Sequence, residues 1–496
     1  MEKVRKIKNA LISVTDKEGI LVVAKLLNEK DITLYATSGT HNFLQKQGIN
    51  SKDVAELTGF SSILGGRVKT LNPIIFGGIL ARSENPEDRL EIIERRIVPF
   101  DLLIVSLYNF EGAIAQGVAE EEIIENIDIG GVALLRAGAK NFESVFCIPG
   151  IEFLEEAMPI LERGESNLQE RKRFAAYTFS SIAEYDEQIA LYFISQTSNN
   201  LRYGENPHQK GCLIGNLNFY LKQKGGKALS YNNLLDLDNA LHILKDWSQV
   251  EKSVVIIKHN NPCGAAADAD GVQALQKAWA TDPESAFGGV IATHHSVDKE
   301  FALVLENLFF EILAAPSFEE EALKVLAKKK NRTLLQICNY PQQKQQSRSI
   351  FAGKLVQEVD NCWGSTNFKV VTQKHPSEEE IADFFWAEVL IKYLRSNAIA
   401  IVRKKQLLGK GCGQTSRVEA VRQAIAQAQK NKFPLEGAIL ISDAFFPFPD
   451  SIALAYEAGI GCIVQPGGSI RDKEIIDYCD SYHIAMVFTG IRHFLH

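Results

Sequence analysis

The chain has 496 residues, too many for one ordinary core, so two or more domains are expected. Hydrophobic residues at 46% and charged residues at 23% are the composition of a soluble globular protein, not of a disordered one. A formal net charge of -7 at pH 7 argues against a broad nucleic-acid surface but leaves room for local basic pockets that hold small phosphate esters.

In chain order, the charged start is followed by an apolar run at residues 10–14 that is too short for a signal sequence. No run of about 18 apolar residues follows, so neither a leader nor a membrane span is expected and the protein reads as cytoplasmic. Residues 10–14 read as a buried strand, 19–27 as a helix, 32–36 as a second strand, and 37–40 (Thr-Ser-Gly-Thr) as a turn opening a helix that runs to Gln47. Residues 102–107 are another β-prone run. This alternation predicts an α/β domain with a largely parallel sheet. A helix over 168–195 ends at the polar breaker 196–200, taken as the boundary between domains at 1–198 and 199–496. Beyond it, short β-prone runs at 254–257, 289–292, 398–402, 437–441 and 462–464 alternate with helical windows, with no repeat of fixed period. Residues 317–331, Glu-rich first and Lys-rich last, predict a helix whose charges suit its dipole.

Several segments carry groups suited to chemistry. Ser13, Thr15 and Lys17 lie at the carboxyl end of the first strand, and Thr37, Gly39 and Thr40 just after the second, where backbone amides and hydroxyls meet phosphates. A serine or threonine N-cap would give the same local pattern. Gly65-Gly66-Arg67-Val68-Lys69-Thr70 sets two cations beside paired glycines, which fits an anion pocket, although a plain surface turn gives the same pattern. Asp128 stands among apolar residues before Gly130-Gly131, and an acid buried there needs a partner. Arg136 and Lys140 share a helix face at i, i+4. Lys258 and His259 end a buried strand and lead into a polar loop that Pro262 and Gly264 constrain, a placement suited to acid–base work. Pro262-Cys263 invites comparison with zinc deaminases, but Ala266 stands where their second cysteine belongs and no His-x-Glu occurs, so the metal reading fails at two ligands. The eight cysteines (Cys147, Cys212, Cys263, Cys338, Cys362, Cys412, Cys462 and Cys479) form no Cys-x-x-Cys pair and read as reduced thiols. The turn-rich Arg202–Gln209 run, Asn397 before an apolar strand, the glycine-rich 409–417 stretch ending in Arg417, and the aromatic loop 443–448 complete the set. The 409–417 stretch lacks P-loop spacing, which argues against an ATPase, and the aromatic loop is read as able to stack on a planar ligand.

Taken together, and most specifically at 201–209, 258–264, 442–448 and 465–472, these segments resemble the bifunctional aminoimidazole carboxamide ribonucleotide (AICAR) formyltransferase/inosine monophosphate (IMP) cyclohydrolase family over essentially the whole chain. The resemblance implies an α/β fold: an N-terminal methylglyoxal-synthase-like, doubly wound cyclohydrolase domain and a C-terminal formyltransferase region of two cytidine-deaminase-like units without zinc. By the same resemblance Lys69, Tyr108, Asp128 and Lys140 handle ring closure, while Ser13, Thr15, Lys17, Thr37, Gly39, Thr40, Arg67 and Thr70 hold the nucleotide. Lys258 and His259 match the pair for formyl transfer. Arg202, Tyr203, His208, Glu311, Asn397, Arg417, Phe446 and Arg492 match positions lining the substrate and folate site. The implied co-substrate is 10-formyltetrahydrofolate, with no metal, NAD or ATP, and the implied assembly is a homodimer sharing its transferase sites. The chain departs from the family pattern at Asn72 and Phe142 (histidine in the family) and at Asn109 (proline), each beside a cyclohydrolase position. Two other classes compete: a zinc-dependent nucleotide deaminase, which the missing ligands disfavour, and a non-catalytic nucleotide or folate binder, which the intact Lys258-His259 pair disfavours.

Overall fold

Five short parallel strands organise the first part of the chain: β1 (Asn9–Ser13), β2 (Thr33–Ala36), β3 (Lys52–Asp53), β4 (Leu102–Val105) and β5 (Phe146–Ile148), in the order β3-β2-β1-β4-β5. Period-two alternation sends the side chains of β1 to two cores. Ala10 and Ile12 pack with Val23, Ala24 and Leu27 of α1 (Leu21–Glu29). Leu11 packs on the other face with Ile75 and Ile79 of α3 (Pro73–Leu80) and with Leu134 and Leu135 of α5 (Gly130–Lys140); α2 (Ser38–Lys46) and α4 (Phe110–Gln116) complete the helices named in this part. Burial on both faces is why these strands read as continuous apolar runs. The long α6 (Leu168–Ser195) begins with a capping box between Asn167 and Glu170, and buries Phe174 against Phe146 of β5.

The computed structural model describes residues 4–196, 201–247, 251–351, 353–364 and 367–496. The chain divides into two compact units, residues 1–198 and 199–496. Residues 197–200 of the polar breaker lie outside the described residues. The expected strand and helix runs of the first unit appear within one to three residues of their positions, and α6 has the expected ends.

The second unit is built on a twelve-stranded sheet. Its strands are β6 (Leu221–Gly225), β7 (Lys252–Lys258), β8 (Asn261–Asp268), β9 (Val290–Thr293), β10 (Ile312–Ala315), β11 (Thr333–Ile337), then, after a separate hairpin β12 (Gln345–Ile350) and β13 (Gly353–Glu358), β14 (Lys369–Val370), β15 (Ile399–Arg403), β16 (Gln406–Gly411), β17 (Ile439–Ser442), β18 (Cys462–Gln465) and β19 (Ala485–Phe488). The sheet order is β14-β19-β18-β17-β15-β16-β8-β7-β9-β10-β11-β6. It is a duplication. In each half a tight hairpin (β7–β8, β15–β16) pairs antiparallel with the next strand, three strands then run parallel, and an antiparallel strand closes the edge. The halves meet antiparallel at Ala266 and Gln406. Each hairpin is preceded by a helix with a serine capping box, α7 (Tyr231–Asp246) at Ser230 and α9 (Glu378–Ile391) at Ser377. Each is followed by a helix, α8 (Gly271–Thr281) or α10 (Arg417–Lys430), that lies on a strand glycine. A Cβ on Gly264 or on Gly409 would come within 2.1 Å of the carbonyl oxygen of Ala278 or Ala424. The sequence shows no fixed-period repeat because only topology, caps and close-approach glycines are shared.

Two expectations are corrected. Residues 317–331 form a helix only over Glu320–Leu326. Its basic tail instead folds onto the end of the helix Lys299–Glu306: Lys329 Nζ donates to the Glu306 carbonyl at 2.6 Å, Arg332 to the Leu305 carbonyl at 2.8 Å, and Lys328 pairs with the Glu306 carboxylate at 2.7 Å. Cations are stabilised at that negative helix end. Residues 262–264 are not loop either; Pro262 and Gly264 lie in β8, and the turn is His259-Asn260 alone.

Candidate functional site

A cleft of about 1020 Å³ lies at the carboxyl edge of the five-stranded sheet, where strand ends leave room for a ligand. Ser13, Thr15 and Lys17 follow β1 into it, and Thr37, Ser38, Gly39 and Thr40 follow β2 and open α2. Thr37, the N-cap, makes no capping hydrogen bond, so the first-turn amides of α2 stay open to an anion. Gly39 lies against Lys17, whose Nζ would be 3.6 Å from a Cβ there, so the ammonium stands at this turn. Gly65 and Gly66, both at positive φ, present Arg67, Lys69 and Thr70 to the same cleft. Arg67 is ion-paired with Glu125, another lining residue, across an exposed edge.

Asp128 is buried at the floor. Its Oδ1 accepts the Gly131 amide at 2.7 Å, and Tyr185 of α6 bridges the Asp128 amide (2.8 Å) and the Asn126 carbonyl (2.7 Å). Burial holds the Asp128 carboxyl above the usual aspartate range, against the opposing pull of the Gly131 and Tyr108 amides and the Lys69 charge. Burial likewise pushes the Tyr185 phenol up to about 12, so it stays a neutral donor. Ser106 Oγ is buried, lines the cleft and has no hydrogen-bond partner among the described residues. Sequence reading missed Ser106, Glu125 and Tyr185. A hydroxyl ending the apolar run of β4 was the only local signal for Ser106; Tyr185 is contributed from a distant helix. Of the expected ring-closure residues, Lys69, Tyr108 and Asp128 line the cleft, whereas Lys140 stands exposed at the end of α5 and is not among the lining residues. The i, i+4 spacing put Arg136 and Lys140 on one face, but that face looks away from the sheet, with Arg136 over the Phe179 ring of α6.

Two of the three departures act as helix caps, and the third is tied in only through its backbone. Asn72 caps α3 by accepting the Ile74 amide at 2.9 Å, Asn109 caps α4 by accepting the Gly112 amide at 2.8 Å, and the Phe142 carbonyl accepts Arg171 Nε at 2.9 Å. None of the three lines the cleft.

In the second unit the candidates fall into separate groups. Lys258 Nζ donates to the Gly288 carbonyl at 2.8 Å, and His259 and Asn260 occupy a two-residue turn with φ of 52° and 57°. Asp236 of α7 accepts the Asn260 amide at 2.6 Å, and Glu311 accepts Asn233 Nδ2 at 3.0 Å nearby on α7. The run with Arg202, Tyr203 and His208 is tied to the start of α7 by Asn232 donating to the Glu205 carbonyl at 3.2 Å. A second group centres on Arg417, which donates to Asn397 Oδ1 and Ser442 Oγ, each at 2.7 Å, and pairs with the fully buried Asp443. Arg492 lies in the exposed C-terminal segment over the Phe494 ring. Phe446 is a correction: its ring is fully buried in the core of the second half and its amide donates to Gln465, so Phe445 and Phe448, both exposed, are the aromatics that this loop offers to a ligand. The glycines of the 409–411 stretch are packing sites for α10, not a phosphate loop. Among the described residues no group of three or more His, Cys, Asp or Glu is placed to hold a metal ion, no helix is long and apolar enough to cross a membrane, and all eight cysteines are free.

Fold and cleft define the class: a two-unit α/β protein whose first unit presents a small-molecule anion cleft at a sheet edge and whose second is a duplicated mixed sheet. Comparison with known proteins makes this specific. The MGS-like domain profile matches residues 19–133, and the AICARFT/IMPCHase bienzyme profile matches residues 138–427. The protein named bifunctional purine biosynthesis protein PurH is 42% identical in Bacteroides thetaiotaomicron over 100% of both chains, and 40% identical in Clostridioides difficile over 99% of this chain and 100% of that one. In Aquifex aeolicus it is 40% identical over 98% of this chain and 100% of its own. The chain belongs to the AICARFT/IMPCHase bienzyme family.

Proposed function

We propose that the two units divide two consecutive reactions, formylation of the AICAR amine in the second unit and dehydrative closure of the product to IMP in the first. The chain is a bifunctional purine-biosynthesis enzyme, and these are the last two steps of that synthesis. The observation that carries the residue-level reading is the cleft of the first unit, where hydroxyls, open helix amides and Lys17 offer a phosphate site beside a buried carboxyl and Lys69.

For ring closure, the carboxamide nitrogen adds to the new formyl carbon and water leaves. The step is intramolecular, so holding one conformer supplies much of the acceleration. Asp128 takes the carboxamide nitrogen proton and Lys69 with the Tyr108 region stabilises the former formyl oxygen; that proton and the one lost from the formamide nitrogen leave with this oxygen as water, and the ring C=N bond forms. Lys140, which does not line the cleft, is proposed from the family resemblance alone as the fourth ring-closure group. For formyl transfer the substrate amine is a weak nucleophile because its lone pair is delocalised towards the carboxamide. His259 accepts its proton and passes it to the folate nitrogen as the formyl–nitrogen bond of 10-formyltetrahydrofolate breaks, while Lys258 stabilises the formyl oxygen. Arg202, Tyr203, His208, Glu311, Asn397, Arg417 and Arg492 are proposed to bind the two substrates, in a cytoplasmic homodimer.

The hairpin β12–β13 supports a second copy: both strands are exposed throughout, and Ile350, Phe351, Leu355 and Val356 face solvent. A two-stranded ribbon is marginal alone in water. Sedimentation of the Leu355→Lys/Val356→Lys variant should show monomer if this arm joins the copies. The activity itself is tested by following purified protein with AICAR and 10-formyltetrahydrofolate: IMP should appear, and absence of both IMP and the formylated intermediate overturns the reading.

A further inference from the structure

The turn bearing His259 has a twin in the other half of the sheet. Asp236 and Asp383 are each the sixth residue of their helices, α7 and α9. Asp236 accepts the Asn260 amide at 2.6 Å; Asp383 accepts the Lys405 amide at 2.6 Å and the Lys404 amide at 2.7 Å. Both turns are two residues long with both residues at positive φ, 52° and 57° for His259-Asn260, 51° and 52° for Lys404-Lys405. Asparagine and glycine favour such hairpin turns, and histidine and lysine occupy that region only when surroundings over-determine it. A helix carboxylate clamping the turn amides is therefore a device of the repeated fold.

The two copies are used differently. In the second half Lys405 reaches out to Glu251 at 2.9 Å, and the turn is two lysines with no histidine. In the first half the grip is extended: Asn239, one helical turn beyond Asp236, donates to the Asn260 carbonyl at 3.0 Å and to its Oδ1 at 3.1 Å, and Asn261 donates to the His259 carbonyl at 3.1 Å. Trp386 stands on α9 where Asn239 stands on α7. We propose that Asp236 is a positioning residue for formyl transfer, clamping the Asn260 amide so that His259 is held in the left-handed conformation that fixes where its imidazole stands. Burial holds the Asp236 carboxyl above the usual range, opposed by the Asn260 amide and the charges of His259 and Lys258.

This inference rests on the acid–base reading of His259, and the second half supplies its control. Steady-state formyl transfer and cyclisation are measured on Asp236→Ala, Asp236→Asn, Asp383→Ala and His259→Ala, with melting of each. Asp236→Ala should lower transfer kcat roughly 10- to 100-fold, as misplacement of a reacting group does, with KM for AICAR and cyclisation unchanged. Asp236→Asn, whose amide oxygen still accepts the turn N–H, should keep most of kcat. Asp383→Ala should lower the melting temperature and leave transfer kcat per folded enzyme intact. Full transfer by folded Asp236→Ala, equal losses in Asp236→Ala and Asp383→Ala, or a loss in Asp236→Asn as large as in the alanine variant each overturns the proposal. Should Asp236→Ala not fold, Asn239→Ala and Asp236→Asn decide it: unchanged kcat in Asn239→Ala together with a loss in Asp236→Asn removes the clamp. A fully active His259→Ala sinks the reading of the site itself, whereas an impaired His259→Ala beside a fully active Asp236→Ala sinks only the positioning role.

Discussion

Two residues carry most of the chemistry proposed for the molecule, one in each unit. His259 stands in a turn where a structural histidine has no packing role to fill, so His259→Ala should lower formyl transfer by about 10²–10⁴-fold while cyclisation of supplied formylated nucleotide persists. A structural role would instead lower the melting temperature and reduce both activities with the folded fraction. Asp128 makes the complementary case. Its folded carboxyl keeps its proton to a higher pH than in the unfolded chain, so the ionised form opposes folding and this group's contribution to stability rises as pH falls through its folded pKa. Asp128→Asn, whose amide oxygen can still accept the Gly131 N–H, should therefore melt no lower than the parent at neutral pH, yet let the formylated intermediate accumulate; Lys69→Ala should accumulate it too. Because the carboxylate is the working form, ring closure in the parent should fall on acidification with a midpoint above the ordinary aspartate value of 3.8. Unchanged IMP formation in both variants would remove these residues from the mechanism.

At the scale of elements, the sites depend on helix beginnings. The open first turn of α2 receives an anion because Thr37 leaves its amides unbonded, whereas Asn72 and Asn109 close the first turns of α3 and α4. These two differ from the residues that the family resemblance implies, and their caps give each asparagine a structural role beside the cleft. Asn72→Ala and Asn109→Ala should each cost about 1 kcal/mol of stability, read by denaturant unfolding of the first unit. Ring closure per folded molecule should be retained, since neither side chain lines the cleft; a loss of turnover without a loss of stability would place them in the chemistry instead. Periodicity found three strands of the first unit and the helices α1, α2 and α6, whose apolar residues face a core, but not the short strands β3 and β5 or the helices α3, α4 and α5. It failed for residues 317–331, where Lys328 pairs with the Glu306 carboxylate and Lys329, followed by Arg332, takes carbonyls at the end of that neighbouring helix instead of adding a helical turn.

For the whole molecule, the two-unit division gives a direct test. Residues 1–198 enclose both cores of the first sheet and all of α6, so this segment expressed alone should melt cooperatively and cyclise formylated nucleotide without folate. A segment ending at residue 150 should not, because it loses Tyr185, which pins the Asp128 loop, and Phe174 and Arg171, which complete the core around β5. Activity in the shorter segment would show that α6 is dispensable to the cleft. The sequence by itself determined the α/β class, the strand ends at which Ser13, Thr15, Lys17, Thr37 and Thr40 gather, and the family to which the chain belongs, because buried strands and turn chemistry are written locally. Only the tertiary structure decided that Lys140 is not among the cleft's lining residues, that Phe446 is core, that Ser106 lines the cleft and Tyr185 braces its Asp128 loop, and that the second unit repeats itself down to the aspartate bonded to each hairpin turn. Those facts depend on which faces of distant elements meet, and neither spacing nor composition records a face before the chain has folded.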